Sequence, residues 1–302
     1  MRRLAVIVTL GAALPAAAAP RFVCPEVITV SAVWFDSGAL GVHVAVIHRD
    51  GGKPSHDGAT YTLDDTLAER LEEDFGPFAP LVLRRIEARV QELSGPYRDA
   101  TVSQEVLHCL QTIHRHLPYR VRSHVGLHQN TELWVHRLAR ELRRRMGHTM
   151  IITSGNRSPE KQAAAMYGKL ARGSRYRRLY KKRKLAEEIR QAYRAARRKG
   201  MRRQEIIQAM TRVIEEQMRR GCYVSAHLKQ VAVDVRSYDM IRRVRRVFRR
   251  VTEQVDGVKL LIEKRPPHFH LEVPPTAVVT GCPRLEIQQP EESEECKDPE
   301  DR

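Results

Sequence analysis

Hydrophobic and polar positions alternate along Val231–Val235, with Val231, Val233 and Val235 on one side and Ala232 and Asp234 on the other. This is the period-two pattern of a half-buried strand. Val27–Trp34 and Gly41–His48 are apolar and β-branched with Asp36-Ser37-Gly38 between them, which predicts a β-hairpin. Gly51 to Gly58 reads as a loop. The period then turns helical. Thr66–Leu93 predicts a helix broken at Gly76-Pro77, and Val102–His116 predicts a second with Val106, Leu107, Leu110, Ile113 and Leu117 at helical spacing. Thr131–Met146 predicts a third helix, capped by Asn130 and ended by Gly147, before a short strand, Met150–Thr153. Ser158-Pro159 is the start of another helix. Beyond Gln162 lies a long basic helical insert, divided at Gly200, whose second half places Ile206, Ile207, Met210, Val213, Ile214 and Met218 on one face as core or hairpin partner. Asp239–Val255 predicts an amphipathic helix, followed by strands over Val258–Glu263 and His268–Val273. The expected fold is α+β: a small antiparallel sheet flanked by helices, with a basic helical insert over 172–220.

Composition adds a compartment and a charge. The 302 residues are 42% hydrophobic, enough for a core. Arg2 and Arg3 precede an apolar run that ends in small residues near Ala19, the layout of a signal peptide. This predicts an exported protein of the periplasm or cell envelope; a single membrane anchor is the alternative, disfavoured by Pro15 and the alanines. Export places the five cysteines where disulfides can persist; their odd number leaves at least one unpaired or paired with another chain, and Cys222 and Cys282, on either side of the strand region, are a pair that could approach each other. The insert supplies most of the formal charge of +17. Such a field attracts polyanions. Export turns the expectation from nucleic acid to an anionic wall polymer or membrane surface; the plainer alternative is a solvated helical face paired with the acidic tail. The organisation expected is a leader at 1–19, a hairpin and helices at 20–128, the sheet with its insert at 129–285, and an acidic disordered tail at 286–302.

Candidate chemistry gathers late in the chain. An Asp at mid-strand among valines is costly unless it pairs with one of the many arginines or binds a metal. His227 stands just before that strand. His268 and His270, two apart on a strand, share a face. Catalytic zinc takes three protein ligands and leaves a position for water. His227, Asp234 and one His of the pair would make that set, with Glu263 as general base. His108, His114, His124 and His128 form no ligand pattern.

Three motifs then occur in order: SGNRSPEKQ at Ser154–Gln162, SAHLKQVAVD at Ser225–Asp234 and PHFH at Pro267–His270. The first resembles the SGYRS-x3-Q motif of the zinc D-Ala-D-Ala peptidases, which share a fold with the hedgehog signalling domain. The second resembles their S-x-H-x-x-G-x-A-x-D motif, and the third the terminal H-x-H of hedgehog-like and murein endopeptidase members. The resemblance covers about 133–274. It implies zinc on His227, Asp234 and His270, Arg157 facing the substrate, substrate contacts from Ser225 and Gln162, and Glu263 or His268 as base. The implied function is an exported zinc metallopeptidase cleaving D-amino-acid peptides of peptidoglycan, as endopeptidase or DD-carboxypeptidase. A non-catalytic zinc module that binds wall or another anionic ligand is the alternative. The chain departs from the pattern at Gln230, where the family has Gly, and at Asn156, where it has Tyr. It also lacks E-x-W-H, since Glu263 lies seven residues before His270.

Overall fold

A computed structural model describes residues 25, 27–35, 37, 39–50, 53–93, 100–122, 124–173, 180–264, 267–279, 282, 286–288 and 296. The expected leader, Cys24 and nearly all of the acidic tail lie outside the described residues.

The chain is a mixed α/β protein with two sheets. The expected hairpin forms as β1 (Val27–Trp34) and β2 (Leu40–Asp50), but the sheet has a third antiparallel strand, β3 (Lys53–Thr62), across most of the stretch expected as a loop. KPSHDGATYT has little apolar alternation; its backbone pairing with β2 makes it a strand. The helix break falls where expected: α1 (Leu67–Phe75) and α2 (Ala79–Leu93) flank a 3-10 turn at Gly76–Phe78. α3 (Ala100–His116) completes the amino-terminal third.

The second sheet has the order β4-β5-β6-β8-β7, from β4 (Tyr119–Val121), β5 (Met150–Ser154), β6 (Ala232–Arg236), β7 (Lys259–Lys264) and β8 (Pro267–Glu272). It is mixed, not antiparallel throughout. α4 (Gln129–Met146) carries the chain from β4 to β5, the kind of crossover that parallel neighbours need, and the two pair in parallel. The remaining pairs are antiparallel. α4 also corrects its own start. His128 is the cap, its Nδ1 accepting from Asn130 N at 3.2 Å, while the Asn130 side chain donates to Pro274 O and accepts from Val278 N. Gly147 ends α4 with φ of 61°, as expected.

One contiguous buried cluster joins the first sheet and α1–α4 to one face of the second sheet and to α8 (Arg242–Glu253), where Phe248 stacks on Phe269 at 4.9 Å. The insert has a smaller core of its own: Leu185, Ile189 and Tyr193 of α6 (Arg183–Arg198) meet Ile207, Met210 and Ile214 of α7 (Arg203–Arg219) and Met166 of α5 (Pro159–Ala171). The apolar face of the insert is thus a packed hairpin, and its charge is partly compensated within it, Glu187 pairing with Arg190, Glu188 with Arg220 and Glu216 with Arg219.

The cysteine pairing expected between Cys222 and Cys282 does not form. Cys222 is bonded to Cys296, with which it shares the insert core, whereas Cys282 belongs to the main core and is in a different disulfide. No helix among the described residues is long and apolar enough to cross a membrane.

Candidate metal centre

β6 and β8 are paired so that Asp234 lies opposite His270. Val233, Val235, Phe269 and Leu271 point into the core, so alternation sends Asp234, His268 and His270 to the other face. His227 arrives from the 3-10 turn Ala226–Lys229, whose backbone is started by Ser225 Oγ accepting from His227 N. That turn ends at Gln230 with φ of 62°, the left-handed conformation for which the resembling motif has Gly. The chain keeps the turn without the glycine, at a backbone cost of roughly 1–2 kcal/mol. Gln230→Gly is therefore expected to stabilise the protein by about 0.5–1 kcal/mol after glycine's larger unfolded-state entropy is set against it. A denaturant titration checks this, and a lower midpoint at unchanged slope would contradict it.

Three histidines converge on one oxygen. Asp234 Oδ1 lies 2.9 Å from His270 Nδ1, 3.3 Å from His227 Nε2 and 3.6 Å from His268 Nε2. The His227 tautomer is set from behind, because its Nδ1–H donates to Gly155 O at 2.7 Å. Its Nε2 lone pair consequently faces a carboxylate oxygen, acceptor against acceptor, in a site where His227 is only 3% exposed. A cation between the two atoms, either a proton or a metal ion, would relieve that apposition. Ligand atoms of His227, Asp234 and His270 all lie within 4.8 Å of one another. Ligands at about 2.0–2.1 Å from a tetrahedral zinc stand about 3.3 Å apart, so the donor set fits with little movement. Outer partners hold the ligands: His270 Nε2 faces Glu272 Oε1 at 3.6 Å, and Arg157 Nη2 donates to Asp234 Oδ2 at 2.9 Å.

Burial holds His227 below its ordinary pKa, with Asp234 opposing. Burial acts the same way on His270, but Asp234 and Glu272 outweigh it and push that imidazole up to about 9. Asp234 is kept well below the usual carboxylate range: burial would raise it, and His227, His270 and Arg157 more than reverse that. Of the three groups, His270 is thus the one that holds a proton most tightly.

Glu263 and His268 are opposed across β7 and β8, with Glu263 Oε2 3.5 Å from His268 Nε2; the strand position facing His270 is Leu261. The carboxylate expected as general base thus stands beside His268, because the register of the β7–β8 pair sets it there. Lys169 Nζ is 3.9 Å from the same Glu263 oxygen.

Arg157 is less available to substrate than its motif implied. Nε and Nη2 donate to Ser154 Oγ, Nη2 also to Asp234, and Nη1 to Gln162 Oε1 at 3.2 Å. Of the five N–H bonds of a guanidinium, one is left. Gln162, expected to contact substrate, is fully buried and outside the cavity lining, and its Oε1 accepts from Arg157. Ser225 lines the cavity.

That cavity, about 760 Å³, is lined by His227, Asp234, His270, Glu263 and His268. Its walls include Lys169, Lys181, Lys182, Lys229 and Lys259, and Tyr180, whose phenol burial pushes well above its ordinary value. Sequence reasoning missed these wall residues. Lys181 and Lys182 were visible only as part of a charge run, and nothing in the sequence separates a wall lysine from a solvated one. Gly155 carried a signal: a Cβ there would collide with Gly126 O and Leu127, so only glycine lets the backbone come close enough to accept from His227. No family model, curated protein or solved structure matches this chain.

Proposed function

We propose that this chain is a zinc-dependent peptidase acting on D-amino-acid-containing peptides of peptidoglycan, cutting within the peptide as an endopeptidase in preference to trimming a terminal residue as a DD-carboxypeptidase. The observation that carries the reading is the meeting of His227 Nε2 and His270 Nδ1 on Asp234 Oδ1, with the His227 tautomer fixed by Gly155. The resemblance of the three motifs to zinc D-Ala-D-Ala peptidases supplies the substrate class. The engagement of Arg157 with Asp234, Ser154 and Gln162 supports the endopeptidase form, since that guanidinium has too few free donors to clamp a terminal carboxylate in bidentate fashion. The lysine walls suit a peptide that bears carboxylates along its length.

His227, Asp234 and His270 would hold the ion. Zinc bound there supplies Lewis acidity and a water whose pKa is lowered to about 7. Glu263 takes the proton as water attacks the peptide carbonyl, and later returns it to the leaving amine. His268, between Glu263 and Asp234, orients that carboxylate and can donate to the oxygen that gathers charge. The free N–H of Arg157 is the second donor available to that oxygen.

Incubating the purified protein with sacculi, with and without a zinc chelator, tests the reading. Shortened cross-links seen by mass spectrometry, lost with chelator and restored by zinc, are expected. Sacculi that are bound and left uncut at every zinc concentration would refute it in favour of a wall-binding module.

A further inference from the structure

A second concentration of positive charge lies on the opposite side of the sheet from His227, Asp234 and His270. α8 reads RRVRRVFRRVTE. Val244, Phe248 and Val251 are buried in the main core. Helical spacing therefore puts Arg242, Arg246, Arg249 and Arg250 along an outward ridge with Arg243 beside it, and all five are exposed. None of the five side chains has a hydrogen bond or ion pair among the described residues. Arg245 alone is engaged, its Nε donating to Ser237 O at 3.0 Å.

This differs from the insert, where Arg190, Arg219 and Arg220 each meet a glutamate. On α8 the charges work against the helix. Arg242 and Arg246, and Arg246 and Arg250, are like charges at i, i+4, which destabilises a helix. The first turn has no acidic residue and carries arginines at the positive end of the helix dipole. Among the described residues these repulsions are uncompensated, which leaves a surface complementary to an anion.

Two apolar side chains name the kind of anion. Tyr238 and Ile241, just before the first turn of α8, are 58% and 66% exposed. An arginine ridge ending in an exposed tyrosine and isoleucine matches a bilayer interface, where guanidinium groups meet headgroup phosphates while Tyr and Ile enter the acyl boundary. A nucleic acid or a soluble polyanion would use the arginines and gain little from Ile241. We propose that the outward face of α8, with Tyr238 and Ile241, docks this protein on an anionic lipid bilayer. Because α8 packs on the core side of the sheet and the metal cluster lies on the other, docking turns the cavity away from the membrane.

The test is flotation of the full chain with phosphatidylcholine vesicles, with and without phosphatidylglycerol. Binding is expected only to the anionic vesicles, and it should weaken with salt. Arg246→Gln/Arg249→Gln/Arg250→Gln should lower partitioning about a hundredfold. Ile241→Ser, with every arginine kept, should lower it about tenfold and leave retention on a heparin column unchanged. Arg194→Gln/Arg198→Gln, on the exposed face of the insert, should do much less than the α8 triple change. Coincident thermal melts exclude unfolding as the cause; if the triple variant melts early, the Ile241→Ser result, at an exposed site, decides. Vesicle binding that ignores the α8 changes overturns the proposal. So does a wild type that binds single-stranded nucleic acid or heparin and ignores anionic vesicles.

Discussion

His227→Ala is expected to leave the protein without metal, as is Asp234→Asn. Each removes one of three donors that face one point, and three is the number a catalytic zinc site needs. The loss should exceed the roughly 10- to 100-fold drop in affinity that follows removal of an outer partner, which is the effect expected for Glu272→Gln. Zinc content measured on purified protein, with a competing chelator of known affinity, reads all three variants. Wild-type stoichiometry in His227→Ala and Asp234→Asn would show that the ion sits elsewhere. The site also sets a pH dependence. His270 holds a proton up to about 9 in the metal-free protein, and it must lose that proton to act as a ligand. Zinc affinity should thus fall about tenfold for each unit of pH below that value, with about one proton released per ion at neutral pH. The metal-free protein behaves in the opposite sense. A histidine whose folded pKa is raised stabilises fully below its unfolded value of about 6.5, and that stabilisation is lost as pH rises towards 9. Metal-free protein should accordingly melt progressively earlier across that window. A melting temperature that rises through it would contradict the assignment of the proton to His270.

The second large effect is on turnover. Glu263→Gln should keep its zinc and lose about a hundred- to ten-thousand-fold in kcat, because the amide cannot take a proton from the attacking water. His268→Ala separates two mechanisms. If His268 only orients Glu263, its loss should cost less than that of Glu263, and its alkaline and acid limbs should stay where they are in the wild type. If His268 is itself the base, its loss should cost more. The 3.5 Å separation of Glu263 Oε2 from His268 Nε2 favours the first order of effects. Full activity in both variants would place the base on another residue.

The parts of this site that were legible in the sequence are those with a repeat or a spacing. Asp234 stands out because a carboxylate interrupts a valine alternation, and His268 and His270 because a two-residue spacing forces a shared face. Asp234 pairs with an arginine, Arg157, and it also belongs to a group that could hold a metal. What was not legible depends on tertiary contact. Nothing local in the sequence shows that Arg157 spends its donors on Ser154 and Gln162, or that Glu263 would oppose His268 and Leu261 would oppose His270, since register is a property of the pair. β4 is three residues long, too short for any period, and without it the β4-α4-β5 crossover and its parallel pairing were invisible. β3 is mostly polar and its strand character comes from β2. His128 caps α4 although histidine is not among the usual capping residues, because Asn130, the better candidate, is drawn off to Pro274 and Val278.

The bond between Cys222 and Cys296 also encloses the segment that bears the site. Cys222 lies five residues before His227, and Cys296 follows every strand of the second sheet in the chain. During synthesis every strand of the sheet that carries Asp234 and His270 is made before or between the two cysteines of this bond. The crosslink therefore closes a loop that contains all of β6, β7 and β8. Closing a loop of 74 residues removes unfolded-state freedom worth about 4 kcal/mol in the chain-entropy model. It ties the segment bearing Asp234 and His270 shut at its base without supplying a donor to the site.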